Sequence, residues 1–81
     1  MTPSQCRMAR AALGLSIREL AALTEMHHPT ISNFERGGGC YASTVEKLQR
    51  ALEAEGVVFV ANGEASLSGG PGVRLRHSPD A

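Results

Sequence analysis

The chain has 81 residues, eight basic and eight acidic side chains, and only three aromatics, Phe34, Tyr41 and Phe59. That length makes one small domain and leaves no room for an enzyme cleft between domains, and the sparse aromatics imply a thin aliphatic core that a second copy would help to bury. The neutral balance lacks the basic excess of non-specific nucleic-acid binders, which gain affinity by neutralising phosphates, so a nucleic-acid surface would have to come from local charge distribution.

Cys6 and Cys40 are the only cysteines, no apolar run reaches membrane-spanning length, and the N-terminus has no secretory pattern. The expectation is a cytoplasmic protein with both thiols reduced, no membrane association and no cofactor.

In chain order, Thr2-Pro3-Ser4-Gln5 is a helix start, with Thr2 as cap, Pro3 at the first helical position and Gln5 closing a capping box. Cys6, Ala9 and Leu13 follow at helical spacing up to Gly14, which predicts helix one over residues 3–13. Ser16-Ile17-Arg18-Glu19 repeats the capping box and opens a short second helix through Leu20, Ala21 and Leu23 to about Thr24. Pro29 suits the first turn of a third helix, roughly 29–36, with Ile31 and Phe34 inward and Gly37-Gly38-Gly39 as its stop. Ser43-Thr44-Val45-Glu46 reads as a third capping box, and Val45, Leu48 and Leu52 form the stripe of a fourth helix over 44–55, ended by Gly56.

Beyond Gly56 the period changes. Val57-Val58-Phe59-Val60 is β-prone, and Gly72-Val73-Arg74-Leu75-Arg76 alternates apolar with charged. The Gly- and Ser-rich stretch 61–71 between them reads as a loop, and 77–81 as a disordered tail. Two strands alone are marginal in water, so they must pack on the helices or pair with another chain. The division is a helical domain over 1–56, a β extension over 57–76 and the tail.

The run from Ile17 to Glu35 resembles the helix-turn-helix of the Cro/C1-type (XRE) bacterial regulators. Leu20 and small Ala21 stand where the two helices cross, Met26 plugs the turn, and Ile31 and Phe34 underlie the recognition helix. Glu35-Arg36-Gly37 matches the family's usual E-R-G, and Thr44-Val45 with Leu48 its T-L-x-x-L. The resemblance covers about residues 3–55 and implies a mostly α, compact four-helix, lambda-repressor-like domain, to which the C-terminal segment adds a small β-hairpin or dimerising strands. Three positions depart from the family pattern. Ile17 replaces a Gln that contacts phosphate, Glu25 replaces a turn Gly, and His27 stands where Ser, Thr or Asn normally caps the recognition helix.

By that resemblance the third helix enters the major groove of double-stranded DNA, and His28, Thr30, Ser32 and Asn33 are its outward candidates. Asn33 is the best base reader, through bidentate bonds to adenine. Thr30 and the free N–H groups at the helix start suit phosphate, and His28 suits phosphate or guanine, better when protonated. Arg18 and Arg36, then Arg7 or Arg10, are the nearest cations for the DNA backbone.

A zinc site drawing on His27, His28, Cys40 and Cys6 is disfavoured, because adjacent histidines rarely converge on one ion and Cys6 lies on a core stripe. The triple glycine follows a helix and lacks Gly-Lys-Ser/Thr, so it is not a phosphate loop. Two functions remain. The first is a dimeric, sequence-specific regulator, most simply a repressor acting on an operator. The second is an antitoxin or anti-activator that holds a protein partner, a toxin or an activator, on the same scaffold.

Overall fold

Local capping begins the fold as the sequence predicts. In the computed structural model, which describes residues 1–61 and 70–76, Thr2 and Ser16 each close a capping box, with Gln5 and Glu19 respectively. These boxes start α1 (Pro3–Leu13) and α2 (Ile17–Thr24), which are followed by α3 (His28–Glu35), α4 (Ala42–Ala54), β1 (Val57–Val60) and β2 (Gly72–Leu75). Gly14, at φ 69°, takes the left-handed conformation that ends α1. The expected tail 77–81 and most of the expected loop 61–71 lie outside the described residues.

The third expected capping box does not form. α4 begins earlier than predicted, with Tyr41 as its cap residue and no side-chain bond there. The Tyr41 carbonyl accepts the Thr44 and Val45 amides at 3.0 and 3.1 Å, so Ser43 falls inside the first turn. Glu46, the would-be partner of Ser43, instead pairs with Arg50 one turn on. A cap pattern in sequence is only one of several ways to satisfy a helix start, and the path out of α3 decides between them.

The core gathers one stripe from each helix: Cys6 and Ala9 from α1, Leu20 and Ala21 from α2, Ile31 and Phe34 from α3, Leu48 and Leu52 from α4. Val57 extends it into β1, and Phe59, Val73 and Leu75 pack against it from the same face of the antiparallel β1–β2 pair. The hairpin therefore lies on the helices, with Val58 opposite Arg74 on its other face. Gln5, almost fully buried on α1, clamps both strands by donating to the Val60 and Gly72 carbonyls, each at 3.0 Å. No described helix is long and apolar enough to cross a membrane.

One charged pair sits within this core. The Arg10 guanidinium bonds Glu35 in fork fashion, Nε to Oε2 at 2.7 Å and Nη2 to Oε1 at 2.6 Å, and its remaining arm reaches the Leu15 carbonyl. Glu35 is only 4% exposed. The Cys6 thiol donates to the same carboxylate at 3.2 Å, and Arg7 donates to the Glu35 backbone carbonyl. Burial by itself would push the Glu35 carboxyl up; bonds from Arg10 and Cys6, with the charges of Arg10 and Arg7, outweigh it and hold Glu35 below the usual carboxylate range. Burial and the hydrogen bond to Glu35 push the Cys6 thiol up to about 12, so it stays a neutral donor.

The Arg10 guanidinium is thus engaged inside the fold by the Glu35 carboxylate and is not a free cation for a DNA backbone, whereas Arg7 is exposed and donates to the Glu35 backbone carbonyl. Arg10→Met leaves the Glu35 charge buried without its partner and should cost about 3–5 kcal/mol in chemical denaturation. Because the folded carboxyl titrates below its unfolded value, its contribution is complete above about pH 4.3 and disappears as pH falls through the lower folded value. Melting temperature measured against pH should therefore fall below that point in the parent chain, and more shallowly in Glu35→Gln.

Candidate nucleic-acid interface

α2 and α3 meet through a turn that the sequence makes with an unfavourable residue. Glu25 adopts φ 55° and ψ 40°, a left-handed conformation that costs a side-chain-bearing residue about 1 kcal/mol. Its amide bonds the Ala22 carbonyl at 3.4 Å and the Met26 amide bonds Ala21 at 3.0 Å, the double closure of a Schellman turn. Small Ala21 is buried at the crossing, and Met26 packs against the core from the turn. Glu25→Gly should raise the unfolding free energy by up to about 1 kcal/mol, read from denaturant midpoints at unchanged slope.

α3 follows with His27 as its cap residue, in extended geometry and without a side-chain cap bond. His28 is the first helical residue, one earlier than predicted, and Pro29 the second. Ile31 and Phe34 are buried, while His27, His28, Pro29, Asn33 and Arg36 are exposed and Thr30 and Ser32 half-buried. The expected run of free amides at the helix start is shorter than the sequence suggests: Pro29 has no N–H, and that of Thr30 donates to the His27 carbonyl at 3.1 Å. The Thr30 hydroxyl and the His28 ring remain as polar groups at this end.

Asn33 is placed differently from a free base reader. Its Nδ2 donates to the Gly39 carbonyl at 3.2 Å, and its own carbonyl accepts the Gly38 amide at 2.8 Å. Gly37, at φ 89°, supplies the left-handed residue that stops α3. Gly38 leaves room for that side chain: a Cβ there would lie 2.3 Å from Asn33 Oδ1 and 2.6 Å from its Nδ2, so the Asn33 amide would have to move aside. The Asn33 amide therefore rests on the triple-glycine link and braces it.

The charges are unevenly committed. Arg10 and Arg50 sit in ion pairs, and Arg7 and Arg76 donate to backbone carbonyls. Among the described residues, Arg18, Arg36, Lys47 and Arg74 have no such bond. Arg18 stands in the first turn of α2 and Arg36 directly after α3. Lys47, which sequence reasoning missed, lines a shallow hollow with Glu25, Met26, His27, Thr30, Ser43 and Thr44, beside the start of α3. The missed signal was the i+3 spacing of Lys47 from Thr44, which places both on one face of α4. A second groove, lined by Pro29, Thr30, Asn33, Gly39, Cys40, Tyr41 and Thr44, adjoins that hollow at Thr30 and Thr44, and Tyr41 in its lining is 84% exposed. Among the described residues no three His, Cys, Asp or Glu side chains converge as metal ligands.

Two short helices crossing at a small residue, joined by a left-handed turn and backed by α1 and α4, define a helix-turn-helix domain. The profile of the helix-turn-helix domain family matches residues 5–59, more than half of the 81-residue chain, and the chain belongs to that family, whose members are DNA-binding domains. No curated protein matches the chain.

Gly38→Ala should drive the Asn33 amide off Gly39 and cost about 1 kcal/mol. The same change in an Asn33→Ala background should cost less, because the atoms that obstruct the new Cβ are gone. Thermal melts of the four proteins in this cycle measure the coupling, and strict additivity would show that Asn33 does not brace the loop.

Proposed function

We propose that this chain is a small sequence-specific DNA-binding transcriptional regulator that acts as a dimer, most simply as a repressor. The observation that carries the reading is the distribution of unpaired charge. In a chain with zero net charge, three of the four uncommitted cations, Arg18, Arg36 and Lys47, flank the two helices of the motif. The fourth, Arg74, lies on β2, while Arg10 and Arg50 sit in ion pairs and Arg7 and Arg76 donate to backbone carbonyls. Local excess at a groove-reading helix supports phosphate contact where the overall sum would argue against it.

In this reading α3 lies in the major groove of an operator, with His28, Thr30, Ser32 and Asn33 toward the bases and Arg18, Arg36 and Lys47 toward the phosphates. Asn33 must give up its bond to Gly39 before its amide can meet adenine in bidentate fashion. That exchange lowers the net gain from the base contact and makes Asn33 a residue of discrimination more than of affinity.

A second reading is favoured by Ile17. An apolar, half-buried side chain occupies the start of α2, where the resemblance leads one to expect a phosphate-binding Gln. An antitoxin or anti-activator would use the same surface against a protein partner, a toxin or an activator, and both roles are compatible in one chain.

The test is binding to DNA from upstream of the chain's own gene over a salt series. Each lost phosphate contact, in Arg18→Ala or Lys47→Ala, should flatten the log–log salt slope by about 0.9. Asn33→Ala should leave that slope unchanged while reducing the preference for the cognate sequence by about 1–3 kcal/mol. Absence of salt-dependent binding to any DNA, together with co-purification of a neighbouring gene product, would transfer the function to the second reading.

A further inference from the structure

The hairpin carries information about how two copies would meet. Gly56 accepts the Arg76 amide at 2.7 Å, just outside the ladder that runs from Val57↔Leu75 to Val60↔Gly72. Bonded and non-bonded residue pairs alternate along an antiparallel ladder, so this contact sets its phase. The bonded pairs are Val58 with Arg74 and Val60 with Gly72. The backbone groups of Val57 and Phe59 therefore point away from β2, and those of Val73 and Leu75 point away from β1. Among the described residues none of these outward groups has a hydrogen-bond partner.

We propose that β1 is the dimerisation strand, pairing antiparallel with β1 of a second copy about a two-fold axis. The product is a four-stranded sheet in the order β2-β1-β1-β2. Three features of the hairpin select this occupant and this edge. A two-fold axis presents the same strand to itself in antiparallel sense, so the outward N–H and C=O groups of Val57 and Phe59 in one copy satisfy those of the other. β1 has no charged residue or proline to block an approaching strand, the usual protection of an edge that stays unpaired. β2 carries exposed Arg74 at its middle and Arg76 at its end, and self-pairing there would set like charges across from each other. On the β1 side, the outer-face side chains brought together are Val58 and Val60, both half-buried and apolar. A four-stranded sheet also removes the marginal stability of two strands.

The inference rests on the dimeric reading proposed above and is independent of DNA binding. It is tested on the full chain by sedimentation equilibrium in DNA-free buffer, with operator binding measured separately on the same samples. The parent chain should sediment at twice its 8.5 kDa mass. Val58→Lys combined with Val60→Lys charges the outer face without touching the core, and should halve that mass while the far-ultraviolet circular dichroism is unchanged. Arg74→Glu should leave the dimer in place. If the double-lysine chain fails to fold, amide exchange on the parent chain decides: Val57 and Phe59 should be protected at high concentration and lose protection on dilution, while Val73 and Leu75 exchange fast throughout. A monomeric parent chain, a dimer that survives the two lysines, or Val57 and Phe59 amides as fast as those of β2 would overturn the proposal. A β1 dimer that binds no DNA would support it and count against the regulator reading alone.

Discussion

The carboxylate of Glu35 is where the helices are tied together. It sits at the C-terminal end of α3, and three side chains of α1 converge on that residue: Arg10 in a two-pronged ion pair, Cys6 through its thiol, and Arg7 on the backbone carbonyl. A buried ion pair adds little net stability over apolar residues of similar volume, but a single orientation satisfies all of its bonds. The pair therefore acts as a geometric constraint on the angle at which α3 leaves the bundle. Everything outward of α3, including the two grooves beside it, inherits its direction from that contact.

The same contact accounts for the distribution of charge. A neutral small domain has few cations to spare, and α1 commits two of its own to holding α3. Arg50 is balanced by Glu46 on α4, where an exposed i,i+4 pair contributes a few tenths of a kcal/mol at most. Of the cations left over, Arg18, Arg36 and Lys47 lie around the helix pair and Arg74 on β2. The sum of charges and the field at the motif are consequently different quantities here, and only the second bears on a phosphate backbone.

The link after α3 shows a tension between fold and recognition. Asn33 has the side chain best suited to adenine, yet its amide completes the glycine loop that leads into α4. At Gly38 that amide occupies the space a Cβ would take, and the backbone angle makes no demand for glycine. The residue thus joins the loop's shape to the reading face, and a change in one is felt in the other. Glu25 is a comparable compromise, a left-handed turn residue kept without glycine.

Much of the fold was legible from residues 2–37 alone. Capping boxes at Thr2 and Ser16, glycine stops at Gly14 and Gly37, and the inward pairs Leu20–Ala21 and Ile31–Phe34 are local signals, each closed within about one helical turn. The two strands were legible too, because the change from helical to alternating period needs no partner to be seen. The outward residues of α3 could be named from the helical repeat. What several polar side chains bond to could not: Asn33 to Gly39, Glu35 to Arg10 and Gln5 to both strands all depend on where a second segment arrives. The start of α4 belongs with these, since Tyr41 displaced the more obvious cap at Ser43. By itself the sequence determined which segments are helices and strands and which faces are apolar, because those follow from the backbone's own periods. The pairing of polar groups, and with it which cations are free at the motif, was decided only by tertiary structure, because a hydrogen bond between distant residues requires the packed core that brings them within reach.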